Sequence, residues 1–134
     1  MSEPGLTAED RLDILELLVR ADDAASRRDV EGYLALFADD ATLEGDKGVH
    51  RGKDALRSAV AAVWASEPAG SRHLTLNSTL QATPGTPALV NAASTLAIVT
   101  AGDAPALQSI ATILQVVGKV DGSWRIRRRT VRLS

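Results

Sequence analysis

The spacing of apolar residues changes at about residue 71, and that change limits the folds open to this chain more than any other feature. Up to that point apolar residues recur every three or four positions, as on one face of a helix. Beyond it they alternate, as on a strand. Helices first and a long meander of strands afterwards defines the α+β class. The 134 residues are read as a single domain, 1–134, large enough to bury a core without staples.

Thr7-Ala-Glu-Asp10 reads as a capping box ahead of a helix in which Leu12, Leu15, Leu18 and Val19 form the apolar stripe. Continuing that stripe turns Asp22 and Ser26 inward and leaves Asp23 to one side. Asp29 can cap a second, short helix with Val30, Tyr33, Leu34 and Phe37 on its inner face. "ADDATLEGDKGVHRG" supplies turn residues around a short strand at about Ala41 to Glu44. Lys53 to Ser66 reads as a third helix with Leu56, Val60, Val63 and Trp64 inward, ended by Pro68 and Gly70.

A strand begins at Ser71, and others are expected over Leu89 to Thr100, Ala106 to Val120 and Ser123 to Leu133. Pro84-Gly85-Thr86-Pro87, Ala101-Gly102-Asp103 and Asp121-Gly122 lie between them, which predicts consecutive antiparallel hairpins. In "SRHLTLNSTL", ideal alternation puts His73, Thr75, Asn77 and Thr79 on one face and Leu74, Leu76 and Leu80 on the other. Such a polar row is either a wet surface or the wall of an internal pocket.

Composition removes several functions. The chain has no cysteine, so disulfides and thiolate chemistry are excluded. Fifteen basic against seventeen acidic residues argue against a nucleic-acid partner. Arg125, Arg127, Arg128, Arg129 and Arg132 nonetheless crowd the last strand; on an ideal strand Arg125, Arg127 and Arg129 share one face and Trp124, Ile126 and Arg128 the other. No apolar run spans a bilayer and "MSEPGLTAEDR" is polar rather than leader-like, so a cytoplasmic protein without a membrane partner is expected. Two distant histidines offer no metal-ligand spacing, no glycine-rich phosphate loop is present, and no cofactor is expected. Aromatics are scarce, so any pocket should be mainly aliphatic.

Three stretches, "RRDVEGYLALFADDATLEG", "HRGKDALRSAV" and "VDGSWRIRRRTV", together with "SRHLTLN", resemble the SnoaL-like polyketide cyclase group of the nuclear transport factor 2-like superfamily. The resemblance spans nearly the whole chain. It implies a curved mixed or antiparallel sheet forming a deep apolar cone closed by three N-terminal helices, with the His73 face turned into the cone. It also implies a hydrophobic small-molecule ligand and a homodimer formed through the outer face of the sheet, which would cover Leu74, Leu76 and Leu80. The fold hosts dehydratases, isomerases, cyclases, epoxide hydrolases and non-catalytic binders, so it leaves the reaction open.

Within that resemblance His73 matches the histidine of SnoaL-like dehydratases, where a neutral imidazole takes a proton from carbon or oxygen. Those enzymes pair it with an aspartate late in the first helix, and here that position is Ser26. A hydroxyl cannot offset the charge of an imidazolium, so Asp22, one turn earlier, is the candidate partner or the candidate base. Arg129 aligns with a last-strand arginine able to stabilise an enolate or hold an anionic substrate. Ser26, Tyr33, Phe37, Trp64 and Asn77 are the candidate ligand contacts. Two functions follow. One is a cofactor-independent cyclase, isomerase or dehydratase acting on a polyketide- or steroid-like substrate by His/Asp acid–base chemistry. The other is a non-catalytic ligand-binding or oligomerisation module; a limonene-type epoxide hydrolase is a further variant.

Overall fold

In a computed structural model, which describes residues 5–133, nine elements follow one another. They are α1 (Ala8–Ser26), α2 (Val30–Leu34), β1 (Phe37–Gly45), β2 (Gly48–Arg51), α3 (Lys53–Ser66), β3 (Ser71–Thr83), β4 (Thr86–Thr100), β5 (Ala106–Val120) and β6 (Ser123–Leu133). The polar first four residues lie outside the described residues. Local chemistry sets the helix starts as expected. Thr7 Oγ1 accepts from the Asp10 amide while the Asp10 carboxylate accepts from the Thr7 amide, and Asp29 accepts from Gly32.

The strands form one sheet in the order β2-β1-β6-β5-β4-β3. β3 to β6 are consecutive antiparallel hairpins, β1 lies parallel to β6, and β2 folds back on β1. Residues Gly48–Arg51, read from the sequence as turn, form this short edge strand instead. Pairing with β1 overrides their weak local preference. β4 likewise begins at Thr86, three residues before the alternating pattern becomes visible.

The apolar stripe of α1 is rotated from its expected position. Ile14, Leu17, Leu18, Ala21, Ala24 and Ala25 are buried, whereas Leu12 and Val19 are 68% and 62% exposed. Apolar residues surround the first half of this helix, so their spacing alone cannot select a face. The alanines at 21, 24 and 25 decide it, because only small side chains let the helix approach the sheet closely. Asp22 and Ser26 consequently sit at the flank of the buried face, against the edge of β3.

Two bulges reset which strand residues face inward. In β3 the pairing slips between Leu76 and Thr79, with Asn77 in the left-handed region at φ 56°. Asparagine tolerates that conformation better than most residues. The extra residue turns Asn77 and Thr79 outward and carries Leu80 to the core, against the simple alternation. In β6 the register shifts so that Val116 faces Arg128 while Val117 faces Ile126. Trp124, Ile126 and Arg129 therefore share the inner face, and Arg127 lies over Gly118, where a Cβ would stand 2.6 Å from its Cδ. The core fills the space between the inner face and the helices, centred on Phe37, Ile14, Leu34, Leu56 and Ile126.

Candidate functional site

Helices and sheet do not close completely. A cavity of about 310 Å³ remains between the second half of α3, the β1–β2 hairpin and the inner face of β3 to β6. Val60, Val63, Leu43, Leu96, Ile98 and Val131 give it the aliphatic wall that the shortage of aromatics implied. Tyr33 and Trp64 supply its aromatic part, edge-on to each other with centroids 5.0 Å apart. His73 also lines it, 6% exposed and edge-on to Trp64 at 6.4 Å. Of the polar row on β3, His73 lines the cavity, whereas Thr75 lines an outer groove and the bulge turns Asn77 and Thr79 away.

His73 Nε2 lies 2.9 and 3.0 Å from the two oxygens of Glu67, at the C-terminal end of α3. A carboxylate can only accept, so in the neutral imidazole the ring proton resides on Nε2, and Nδ1, bonded to no described residue, carries the lone pair. Glu67 in turn lies 3.1 Å from Arg28 Nη2. Arg28 has φ 59°, the left-handed position after α1 where glycine is usual, with its amide bonded to Ala25 and the next amide to Ala24. Its Nη1 also donates to the Ala25 carbonyl at 2.8 Å. An arginine in that conformation costs about 1 kcal/mol relative to glycine. The cap and the ion pair offset it.

Asp22 and Ser26 do other work. β3 is an edge strand, and two of its outward amides need acceptors. Ser26 Oγ accepts from the His73 amide at 3.0 Å, and Asp22 accepts from both the Thr75 amide at 2.6 Å and Thr75 Oγ1 at 2.8 Å. These bonds fasten α1 along the edge. Asp22 therefore faces an outer groove with Val19, Arg72 and Leu76 rather than the main cavity, and it does not bond the His73 ring. Burial raises its carboxyl above the ordinary 3.8, against the opposing pull of the Thr75 hydrogen bonds and the Arg129 charge.

That direction fixes a pH effect. With the folded value above the unfolded one, near 3.9, the native state holds its proton longer. Stability attributable to Asp22 is then greatest below the unfolded value and is lost as pH rises through the folded one. Urea unfolding of wild type and Asp22→Asn between pH 3 and 7 should show wild type losing stability relative to the variant as pH rises. A roughly constant offset of about 1 kcal/mol for the lost acceptor accompanies it. A difference independent of pH would refute the assignment.

Arg129 emerges from β6 onto the floor of the cavity, 5% exposed, and bonds to no described residue. Its neighbour across β5–β6, Gln115, has both amide atoms buried without a partner. Tyr33 lies close by, its phenol pushed up by burial and kept protonated. No group of three or more histidine or carboxylate side chains among the described residues gathers to hold a metal, and no helix there is long and apolar enough to cross a membrane.

The structure brings His73, Arg129, Tyr33 and Trp64 to one cavity. It separates the other candidates. Phe37 lies beneath Tyr33, centroids 4.9 Å apart, as support and not lining. Ser26 spends its hydroxyl on the backbone of β3, and the bulge turns Asn77 out. Sequence reasoning missed Glu67 and Arg28, and it also missed His50, which lines the cavity. The available signal for Glu67 was its place six residues before His73, across a turn containing Pro68 and Gly70.

A six-stranded mixed sheet closed by N-terminal helices around an apolar cavity is a cystatin-like, nuclear transport factor 2-like α+β fold. The chain belongs to the SnoaL-like domain family, whose profile matches residues 6–130. A Nostoc punctiforme protein of unknown function with a cystatin-like fold is 31% identical, the match covering 98% of this chain and 96% of that one, with TM-score 0.88. A variant of Rv3472 from Mycobacterium tuberculosis, also of unknown function, is 26% identical over 94% of this chain and 72% of that one, TM-score 0.81. ActVI-ORFA from Streptomyces coelicolor shares the fold at 17% identity, 92% and 96% coverage and TM-score 0.81. No curated protein sequence matches the chain.

Proposed function

We propose that this protein is a cofactor-independent acid–base catalyst that removes a carbon-bound proton from a hydrophobic small molecule, leading to cyclisation, isomerisation or dehydration. The observation that carries the reading is the chain from half-buried Arg28 through Glu67 to buried His73. His73 Nδ1 accepts the proton, and the bonding pair moves into an adjacent carbonyl or expels a leaving group from the next carbon. Glu67 offsets the resulting imidazolium charge, the role expected of the first-helix aspartate that Ser26 replaces. Arg129, buried on the floor of the same cavity, supplies positive potential that favours an anionic substrate there. A polyketide- or steroid-like ring system suits the aliphatic lining.

5-Nitrobenzisoxazole tests the reading, because loss of its acidic C3 proton breaks the N–O bond and releases a coloured phenolate. Wild type should accelerate this opening well above buffer, and a hydrophobic competitor should suppress the rate. A rate no higher than buffer would favour the binding module, the reading that Ser26 supports by withholding a carboxylate from the first helix. An epoxide hydrolase is less favoured, since both oxygens of Asp22 are occupied by Thr75.

The chain is further proposed to form a homodimer through the outer face of the sheet. Leu74 and Leu76 on β3 and Ile110 and Leu114 on β5 stand there between 41% and 44% exposed, an apolar surface that a second copy would cover. Leu80, diverted to the core by the bulge, takes no part. Light scattering should give twice the chain mass at micromolar concentration, falling to the monomer mass in Leu76→Asp. A wild-type monomer would sink the proposal.

A further inference from the structure

The floor of the cavity holds Arg129, which makes no hydrogen bond or ion pair with a described residue; Asp22 feels its charge but keeps both oxygens on Thr75. Burying a guanidinium without a counter-charge costs several kcal/mol, so buried arginines almost always have a carboxylate or ligand. The carboxylates around Arg129 are committed elsewhere. Glu67 serves Arg28 and His73, Glu44 accepts from Arg128 and Thr130, and Asp22 accepts twice from Thr75. Asp46, also on the lining, stands exposed in the β1–β2 turn. Gln115, opposite Arg129 in the strand pair and 2% exposed, leaves an amide donor and an amide acceptor equally unbonded. Polar capacity at this point exceeds what the protein satisfies by itself.

We propose that the floor of the cavity is a carboxylate subsite, so that the ligand is a hydrophobic acid whose carboxylate docks on Arg129 while its apolar body lies against Trp64, Val60 and Leu96. The inference rests on the reading of this cavity as the ligand site and not on turnover. A planar guanidinium presents parallel N–H donors that match the two oxygens of a carboxylate, and in a water-poor pocket such charge-assisted bonds are strong. The β6 bulge is what makes the subsite, since it brings Arg129 to the inner face beside Ile126 and Trp124. The carboxylate also gives the ligand a direction, anchoring its head at the floor and extending its body along the wall that carries His73.

The test compares 1-naphthoate with 1-naphthalenemethanol, two probes of nearly equal shape, by titration calorimetry and by quenching of tryptophan fluorescence. Wild type should prefer the carboxylate by on the order of tenfold or more. Arg129→Met should bring the two affinities within about twofold while leaving the alcohol's unchanged, and Arg129→Lys should retain an intermediate preference. Melting curves check that each variant is folded. Equal affinities in wild type, or a preference that survives Arg129→Met, would overturn the subsite. His73→Asn separates this proposal from the catalytic one: it should abolish opening of 5-nitrobenzisoxazole and keep the carboxylate preference. If wild type opens no benzisoxazole yet prefers naphthoate, the subsite stands and the acid–base reading falls.

Discussion

His73→Ala is expected to lower the opening of 5-nitrobenzisoxazole by on the order of 100-fold or more, the usual contribution of a positioned general base. The ring is buried and its Nε2 is held by Glu67, which fixes its orientation in the cavity wall. Glu67→Gln should reduce the rate less, by roughly tenfold. Its amide still meets the ring but no longer offsets the charge formed on proton transfer. Ser26→Ala should leave the rate within about threefold, because Ser26 touches only the backbone of His73. Asp22→Asn should do the same. This order of effects distinguishes the arrangement seen here from a dyad built on α1. A collapse in Asp22→Asn with His73→Ala unaffected would transfer the base to Asp22.

The second large effect concerns the support beneath the site. Phe37→Ala should cost about 3–5 kcal/mol in urea unfolding, a large part of the ~5–15 kcal/mol that holds a domain of this kind together. Phe37 is fully buried at the junction of α2 and β1, packed on Tyr33, which itself packs on Trp64. Removing it opens a cavity under the aromatic wall, and interiors packed at crystal density relax into such space only partly. A loss below 1 kcal/mol would mean that the α2 region contributes little to cohesion. Because this residue does not line the cavity, a variant still folded at low temperature should bind 1-naphthoate within a few-fold of wild type.

The site was legible in unequal parts. His73 announced itself, since a lone histidine on a polar strand face opposite leucines needs either water or a pocket. Its partner did not. The helical stripe pointed to Asp22, whereas the carboxylate that meets the ring comes from Glu67, brought round by the short turn after α3. Arg129 was foreseen on a face with Arg125 and Arg127, and the bulge instead places it with Trp124 and Ile126, where burial removes its solvent. Asn77 failed for the same reason in β3. Alternation is a rule for regular pairing, and each bulge inserts one residue that inverts everything beyond it.

What the sequence determined alone is what short-range forces decide. The limits of α3, β5 and β6, the capping box at Thr7 and the cap at Asp29 all depend on neighbours within a few positions. The order of helices before hairpins then leaves few ways to bury the apolar faces, so the α+β class was also implied. Tertiary structure decided which face of α1 is buried, where the strands slip, which carboxylate reaches His73 and why Arg129 is left unpaired. Those outcomes depend on residues far apart in the chain, 53 positions in the bond from Thr75 to Asp22 and 84 in that from Arg128 to Glu44. No local spacing encodes them, because the energy of such a contact exists only once the helices have packed against the sheet.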